Sequence, residues 1–137
     1  MNKWEVYTDG AYSSSRNQGG VGLVFVKEDK VVFKYNKSIK NTTNNRCELY
    51  AVIKAIQSIT KPIDELVIYS DSQYVIYSIT KGWQRKKNKD LWKTFDYYYD
   101  QVKKLCPVIR FEWVKGHATN VYNQVADLLA VEASHES

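Results

Sequence analysis

The chain has 137 residues, a formal net charge of +5 and a pI near 9.1. That length accommodates one hydrophobic core rather than two, and 44% hydrophobic with 14% aromatic residues excludes a disordered or fibrous chain. The positive surplus favours an anionic partner. No apolar stretch approaches the ~20 residues of a membrane span, and the polar start argues against a signal peptide. A cytoplasmic, intracellular protein with no membrane association is therefore expected. Cys47 and Cys106 match neither a CxxC nor a metal-finger spacing, so both are expected to be reduced, buried, small hydrophobes.

In chain order, Lys3 to Thr8 alternates as a strand and is predicted to stop at Asp9-Gly10, a turn signal. Ser13 to Gly20 reads as a Ser/Gly/Asn-rich loop, Val21 to Val26 as a second strand, and Glu28-Asp29-Lys30 as a polar turn before a third strand at Val31 to Tyr35. From Arg46 to Ile59 the period becomes helical, through Leu49, Val52, Ile53, Ile56 and Ile59. Asn44 and Asn45 are its candidate N-caps and Pro62 its stop. Leu66 to Tyr69 has the continuous apolar run of a strand buried on both faces. A helix from Ser72 to about Thr80, a basic stretch and a helix from about Asp90 to Leu105 follow. Pro107 precedes a fifth strand, Val108 to Val114, then a loop at Gly116 to Asn120 and a terminal helix, Tyr122 to Ala133.

The order β-β-β-α-β-α-α-β-α describes a mixed α/β sheet whose helix-linked strands are parallel. Ligands of such sheets sit at the carboxyl ends of parallel strands. Asp9 closes the first strand and Asp71 the fourth, so adjacent pairing would bring both carboxylates to one edge.

Four carboxylates, Asp9, Glu48, Asp71 and Asp127, each interrupt or border an apolar run, where a charge must be paired, neutralised or cation-bound. Arg46 near Glu48 is the one obvious sequence neighbour of opposite sign. Each has a plainer reading. Asp-Gly is common turn chemistry, Asp71 could cap the following helix, Asn45 and Glu48 are spaced like a capping box, and Asp127 could belong to a solvated helix face. Gathered together they would repel strongly, and two Mg²⁺ ions ~3.5–4 Å apart would reverse that and serve in-line displacement at a phosphodiester. His117, in a loop beside Gly116, is placed as a mobile proton carrier.

These residues resemble the type 1 ribonuclease H family. The matching segments are Tyr7-Thr8-Asp9-Gly10-Ala11, Gly19-Gly20-Val21-Gly22, Thr42-Thr43-Asn44-Asn45-Arg46-Cys47-Glu48-Leu49, Thr60 to Ser70 leading into Asp71-Ser72-Gln73-Tyr74-Val75, Asp90-Leu91-Trp92, Glu112-Trp113-Val114-Lys115-Gly116-His117-Ala118, and Asn123 through Asp127 to Ala130. They cover nearly the whole chain in family order. The resemblance implies a single ribonuclease H domain over residues 1–137, with a five-stranded mixed sheet in the order 3-2-1-4-5 and helices on both faces. It also implies a monomeric endonuclease that hydrolyses the RNA strand of RNA–DNA hybrids with two Mg²⁺, replaceable by Mn²⁺, leaving 5′-phosphate and 3′-hydroxyl ends. By position, Asp9, Glu48, Asp71 and Asp127 match the metal-binding carboxylates, and His117 matches the histidine that assists proton transfer or product release. Asn44, Asn45 and Gln73 match residues that read the hybrid's minor groove, where short amides reach base edges and 2′-hydroxyls without sequence preference. Thr43 and Asn88 match a pocket for a DNA-strand phosphate, and Trp83 matches an aromatic contact to DNA sugars.

There are departures from the family pattern. Only Gly82-Trp83-Gln84-Arg85-Lys86-Lys87-Asn88-Lys89 separates the second helix from Asp90, where many bacterial members carry a longer basic protrusion. Weaker hybrid affinity and a shallower salt slope are expected. Gln124 stands where a Glu is common, and Ser13 to Asn17 replaces a more Gly/Pro-rich loop. A catalytically silent hybrid-binding module and a related nuclease of the same fold, such as a transposase, integrase or junction resolvase, are the rival readings.

Overall fold

The computed structural model describes residues 1–116 and 120–136. Its strands are β1 (Lys3–Ser13), β2 (Gln18–Lys27), β3 (Lys30–Lys40), β4 (Glu65–Ser70) and β5 (Val108–Trp113). Its helices are α1 (Asn44–Gln57), α2 (Gln73–Thr80), α3 (Lys89–Lys103) and α4 (Val121–Ser134). The strands form one mixed sheet in the order β3-β2-β1-β4-β5. β1, β2 and β3 are antiparallel neighbours, whereas β4 runs parallel to both β1 and β5.

Side chains alternate across β1 and β2 and so feed two apolar layers. Val6, Val21, Leu23 and Phe25 pack with Leu49, Val52, Ile53 and Ile56 of α1 and with Trp92, Phe95 and Val102 of α3. Tyr7, Val24 and Val26 face the other way, onto Ala126 of α4. Helices thus cover both faces of the sheet. Cys47 and Cys106 are buried, unpaired thiols within the larger layer.

The first hairpin differs from the sequence expectation. β1 does not stop at Asp9-Gly10 but runs on to Ser13, with Asp9 opposite Gly22 and Gly10 opposite Val21. The reversal falls at residues 14–17, where Asn17 adopts a left-handed φ of 46°. Gly10 is demanded by packing rather than by a turn. A Cβ there would lie 2.5 Å from the Glu48 backbone nitrogen and 2.6 Å from the Cys47 carbonyl carbon. The second reversal is as expected, with Glu28 and Asp29 both left-handed, at φ 53° and 60°. β3 is longer than the Val31 to Tyr35 run because its ladder with β2 continues to Lys40 opposite Gln18.

The caps also differ. α1 is capped by Thr43, whose hydroxyl accepts from the Arg46 N–H at 3.2 Å, so Asn44 and Asn45 lie inside the first turn. α2 is capped by Ser72, which accepts from the Val75 N–H at 3.2 Å, so Asp71 does not cap it. α4 is capped by Asn120. No helix among the described residues is long and apolar enough to cross a membrane.

Candidate active site

The parallel ladder between β1 and β4 pairs Tyr7 with Tyr69, and Asp9 and Asp71 lie two residues beyond on their respective chains. Both therefore lie just past the same end of the β1–β4 ladder, Asp9 still paired with Gly22 of β2. Glu48 enters from α1, which the absent side chain of Gly10 allows to press against β1. One carboxylate oxygen from each of Asp9, Glu48 and Asp71 lies within 4.8 Å of the others. Asp127 approaches from the opposite face. Gly22, opposite Asp9 in the ladder, lets α4 close on β2 so tightly that a Cβ would collide with the Ala126 carbonyl oxygen. The next residue, Asp127, is then close enough to Asp9 to help raise its carboxyl. It stands beside the trio rather than within it.

Little compensates this negative charge. The Gly10 N–H donates to Asp9 Oδ1 at 2.9 Å and to Glu48 Oε1, tying the two carboxylates to one amide. Asp71 Oδ1 is buried without a hydrogen-bond partner among the described residues. Arg46 does not serve Glu48. Its guanidinium forms a bidentate pair with Asp90, at 2.8 and 3.0 Å, and holds that carboxyl down to about 2. Among the described residues, no Lys or Arg pairs with any of the four carboxylates. Asp9 and Glu48 are only 3% and 5% exposed, too little for water to take the place of a cation. Burial, then repulsion from Asp71, pushes the Asp9 carboxyl up to about 8. The Glu48 carboxyl is raised well above its usual range by burial and by Asp9 and Asp71. An all-oxygen donor set, under-compensated and holding an unpartnered buried oxygen, fits a hard divalent cation.

A polar apron surrounds this cluster. Asn44, Asn45 and Gln73 are exposed in the first turns of α1 and α2, the helices that begin beside Glu48 and Asp71. Thr43 and Asn88 are brought to the same arginine, since the Arg46 N–H donates to Thr43 and its guanidinium donates to Asn88 Oδ1 at 3.3 Å. Asn88 is left-handed, with φ 59°, and its amide donates to the Tyr74 hydroxyl at 3.1 Å. Trp83 is 47% exposed and rests edge-on against Tyr77, with ring centroids 5.2 Å apart. Lys81 lies 4.1 Å over the Tyr77 ring, and Arg85 lies 4.2 Å over Trp92. His117, with Ala118 and Thr119, lies outside the described residues.

Three parts of this arrangement were not visible in the sequence pattern. They are the shared Gly10 amide, the pairing of Arg46 with Asp90, and a hydrogen bond from Trp113 Nε1 to the Asp71 carbonyl at 3.0 Å. The Asp-Gly dipeptide carried a signal for the first, but turn chemistry masked it.

The family model described as RNase H matches residues 1–135. The chain belongs to the ribonuclease H family. That membership makes it a hydrolase and a nuclease. It is 37% identical over 142 residues to the ribonuclease H of Chlorobium phaeobacteroides (strain BS1), covering 96% of this chain and 94% of that one. The crystal structure of RNase H1 from the halophilic archaeon Halobacterium salinarum NRC-1 superposes with a TM-score of 0.76 at 26% identity, covering 96% of each chain. LC11-RNase H1, solved in complex with an RNA/DNA hybrid, superposes with a TM-score of 0.76 at 22% identity over 95% of each chain, a likeness of fold. The ribonuclease H sheet order and helix placement expected from the motifs are those of the structure.

Proposed function

We propose that this chain is a monomeric, single-domain, intracellular endonuclease that hydrolyses the RNA strand of RNA–DNA hybrids, leaving 5′-phosphate and 3′-hydroxyl ends. The observation that carries the proposal is the convergence of Asp9, Glu48 and Asp71 to within 4.8 Å with no Lys or Arg paired to them among the described residues. Relatives named ribonuclease H support the substrate class. Asp9, Glu48, Asp71 and Asp127 would hold two Mg²⁺ or Mn²⁺ ions, which when bound supply Lewis-acid stabilisation of charge at the scissile phosphate.

The chain's own residues then divide the remaining work. The Gly10 amide fixes the separation of Asp9 and Glu48. Asn44, Asn45 and Gln73 present amides at two helix starts, where they can meet 2′-hydroxyls and base edges across a shallow minor groove. That contact distinguishes an RNA strand from a DNA strand. Thr43 and Asn88, joined through Arg46, receive a phosphate of the DNA strand, while Trp83 offers an exposed ring to its sugars. His117 carries the proton between reacting groups and solvent, since an imidazole titrates close to working pH.

End-labelled hybrid, duplex DNA and duplex RNA incubated with Mg²⁺ or EDTA test the reading. Cleavage of the hybrid's RNA strand alone, abolished by EDTA and by Asp71→Asn, is expected. Cleavage that survives Asp71→Asn, or a preference for duplex DNA, would overturn it.

A further inference from the structure

Asp71 is held unlike its neighbours. Asp9 and Glu48 both receive a backbone N–H, but Asp71 Oδ1 is buried with no donor among the described residues. Gly116 abuts the other oxygen, since a Cβ at that glycine would lie 3.0 Å from Asp71 Oδ2. The carboxylate faces repulsion from Asp9 and Glu48, and among the described residues no Lys or Arg pairs with it. Its backbone, by contrast, is held from two sides.

The backbone is anchored from β5. The β4–β5 ladder ends with Ser70 opposite Trp113, and the Val114 N–H extends it by donating to the Ser70 carbonyl at 2.9 Å. The next carbonyl, that of Asp71, lies beyond the last rung. It is taken instead by the Trp113 indole N–H at 3.0 Å. A side chain thus supplies one further rung where the main chain has turned away. The indole is itself braced, with its ring 6.4 Å from that of Tyr77 and packed against the main apolar layer. On the other side, the Ser72 N–H donates to Ser70 Oγ at 3.1 Å and Ser72 caps α2.

We infer that Trp113 is a positioning residue for the metal site, holding the Asp71 peptide through its carbonyl so that both carboxylate oxygens stay free for a cation. Donors placed on the carboxylate itself would compete with a cation for its lone pairs, whereas a donor on the carbonyl does not. The inference rests on the proposed metal-dependent function and adds a residue to it. Partners that orient a ligand without touching the ion commonly change metal affinity by tenfold or more. A single neutral hydrogen bond sets a smaller scale here, about three- to tenfold.

Two variants remove the donor. Trp113→Phe keeps an aromatic ring. Replacement of Trp113 by benzothienylalanine keeps the bicyclic shape and exchanges only the N–H for sulfur. Calorimetric titration with Mg²⁺ in the absence of nucleic acid is compared across native protein, both variants and Asp71→Asn, alongside thermal unfolding. The expected result is Mg²⁺ binding about three- to tenfold weaker in both variants. Cleavage at limiting Mg²⁺ should fall and recover at saturating Mg²⁺, with KM for hybrid unchanged. Should Trp113→Phe fail to fold, the isosteric variant decides. Native-like Mg²⁺ affinity in a folded variant, or a raised KM with metal affinity intact, would refute the positioning role. Native protein that binds no Mg²⁺ would instead refute the metal-dependent function on which it rests.

Discussion

Replacing Asp9 by Asn removes an ionisable group from a place where the metal-free protein tolerates charge poorly. The Asp9 carboxyl titrates at about 8 in the fold against an ordinary 3.8, chiefly because it is buried and secondarily because Asp71 faces it. A folded value above the unfolded one means that the native state binds the proton more tightly. Its contribution to stability is therefore complete below about pH 4 and lost as pH rises through about 8. At ~1.36 kcal/mol per pH unit the gap sets a ceiling of about 5–6 kcal/mol, and relaxation with water entry into a cluster of carboxylates reduces this to about 2–3 kcal/mol. For 137 residues, an unfolding entropy of ~2.1 cal/mol/K per residue converts that to a rise of about 7–10 °C in Tm. Thermal unfolding followed by circular dichroism in EDTA should show Asp9→Asn more stable than native protein at pH 8.5. The difference should shrink towards zero at pH 5, and also when Mg²⁺ binds and stabilises only the native chain. A variant no more stable than native at pH 8.5, or a difference independent of pH, would refute the reasoning.

Other substitutions probe the scaffold. Gly10→Ala forces a methyl group against the Glu48 backbone nitrogen at 2.5 Å, so a stability loss of about 1–3 kcal/mol in urea titration is expected together with severe loss of cleavage. Thr43→Ala removes the α1 cap and should cost about 1 kcal/mol in the same titration. Asp90→Asn weakens the pair that orients Arg46 between Thr43 and Asn88. Because that pair is exposed, Tm should shift little while KM for hybrid rises severalfold at fixed salt.

Much of the fold could be read from local pattern. The helical period of Leu49, Val52, Ile53 and Ile56 and the short apolar run of β4 are dictated by burial, and burial is what periodicity reports. The boundaries that failed were those where tertiary contact overrides local preference. Asp9-Gly10 has turn chemistry, but β2 supplies a ladder on one side and α1 needs the missing Cβ on the other. Asn44 and Asn45 are good caps by type, but Thr43 is the residue whose extended backbone lets a hydroxyl meet the Arg46 N–H.

The site divides in the same way. Asp9 and Asp71 were legible because parallel pairing of β1 with β4 sets each two residues beyond the Tyr7–Tyr69 rung, even though β1 runs on past Asp9, and Glu48 followed from its place in the next helix. Asp127 lay mid-helix with no local sign of its direction. Its approach to Asp9 depends on how closely α4 seats on Gly22. Arg46 was legible as a charge but not as a partner, since Asp90 lies 44 residues away on α3. The Trp113 contact spans 42 residues and ends on a carbonyl, a group that sequence cannot single out.

The central claim is that carboxylates from three separate elements form one cation site. Crystals grown with Mn²⁺ and measured at its absorption edge test it directly. Anomalous peaks about 2.0–2.6 Å from oxygens of Asp9, Glu48 and Asp71 are expected for hard-cation coordination, with the density lost in Asp71→Asn. An anomalous map without a peak between these carboxylates at saturating Mn²⁺ would contradict the account.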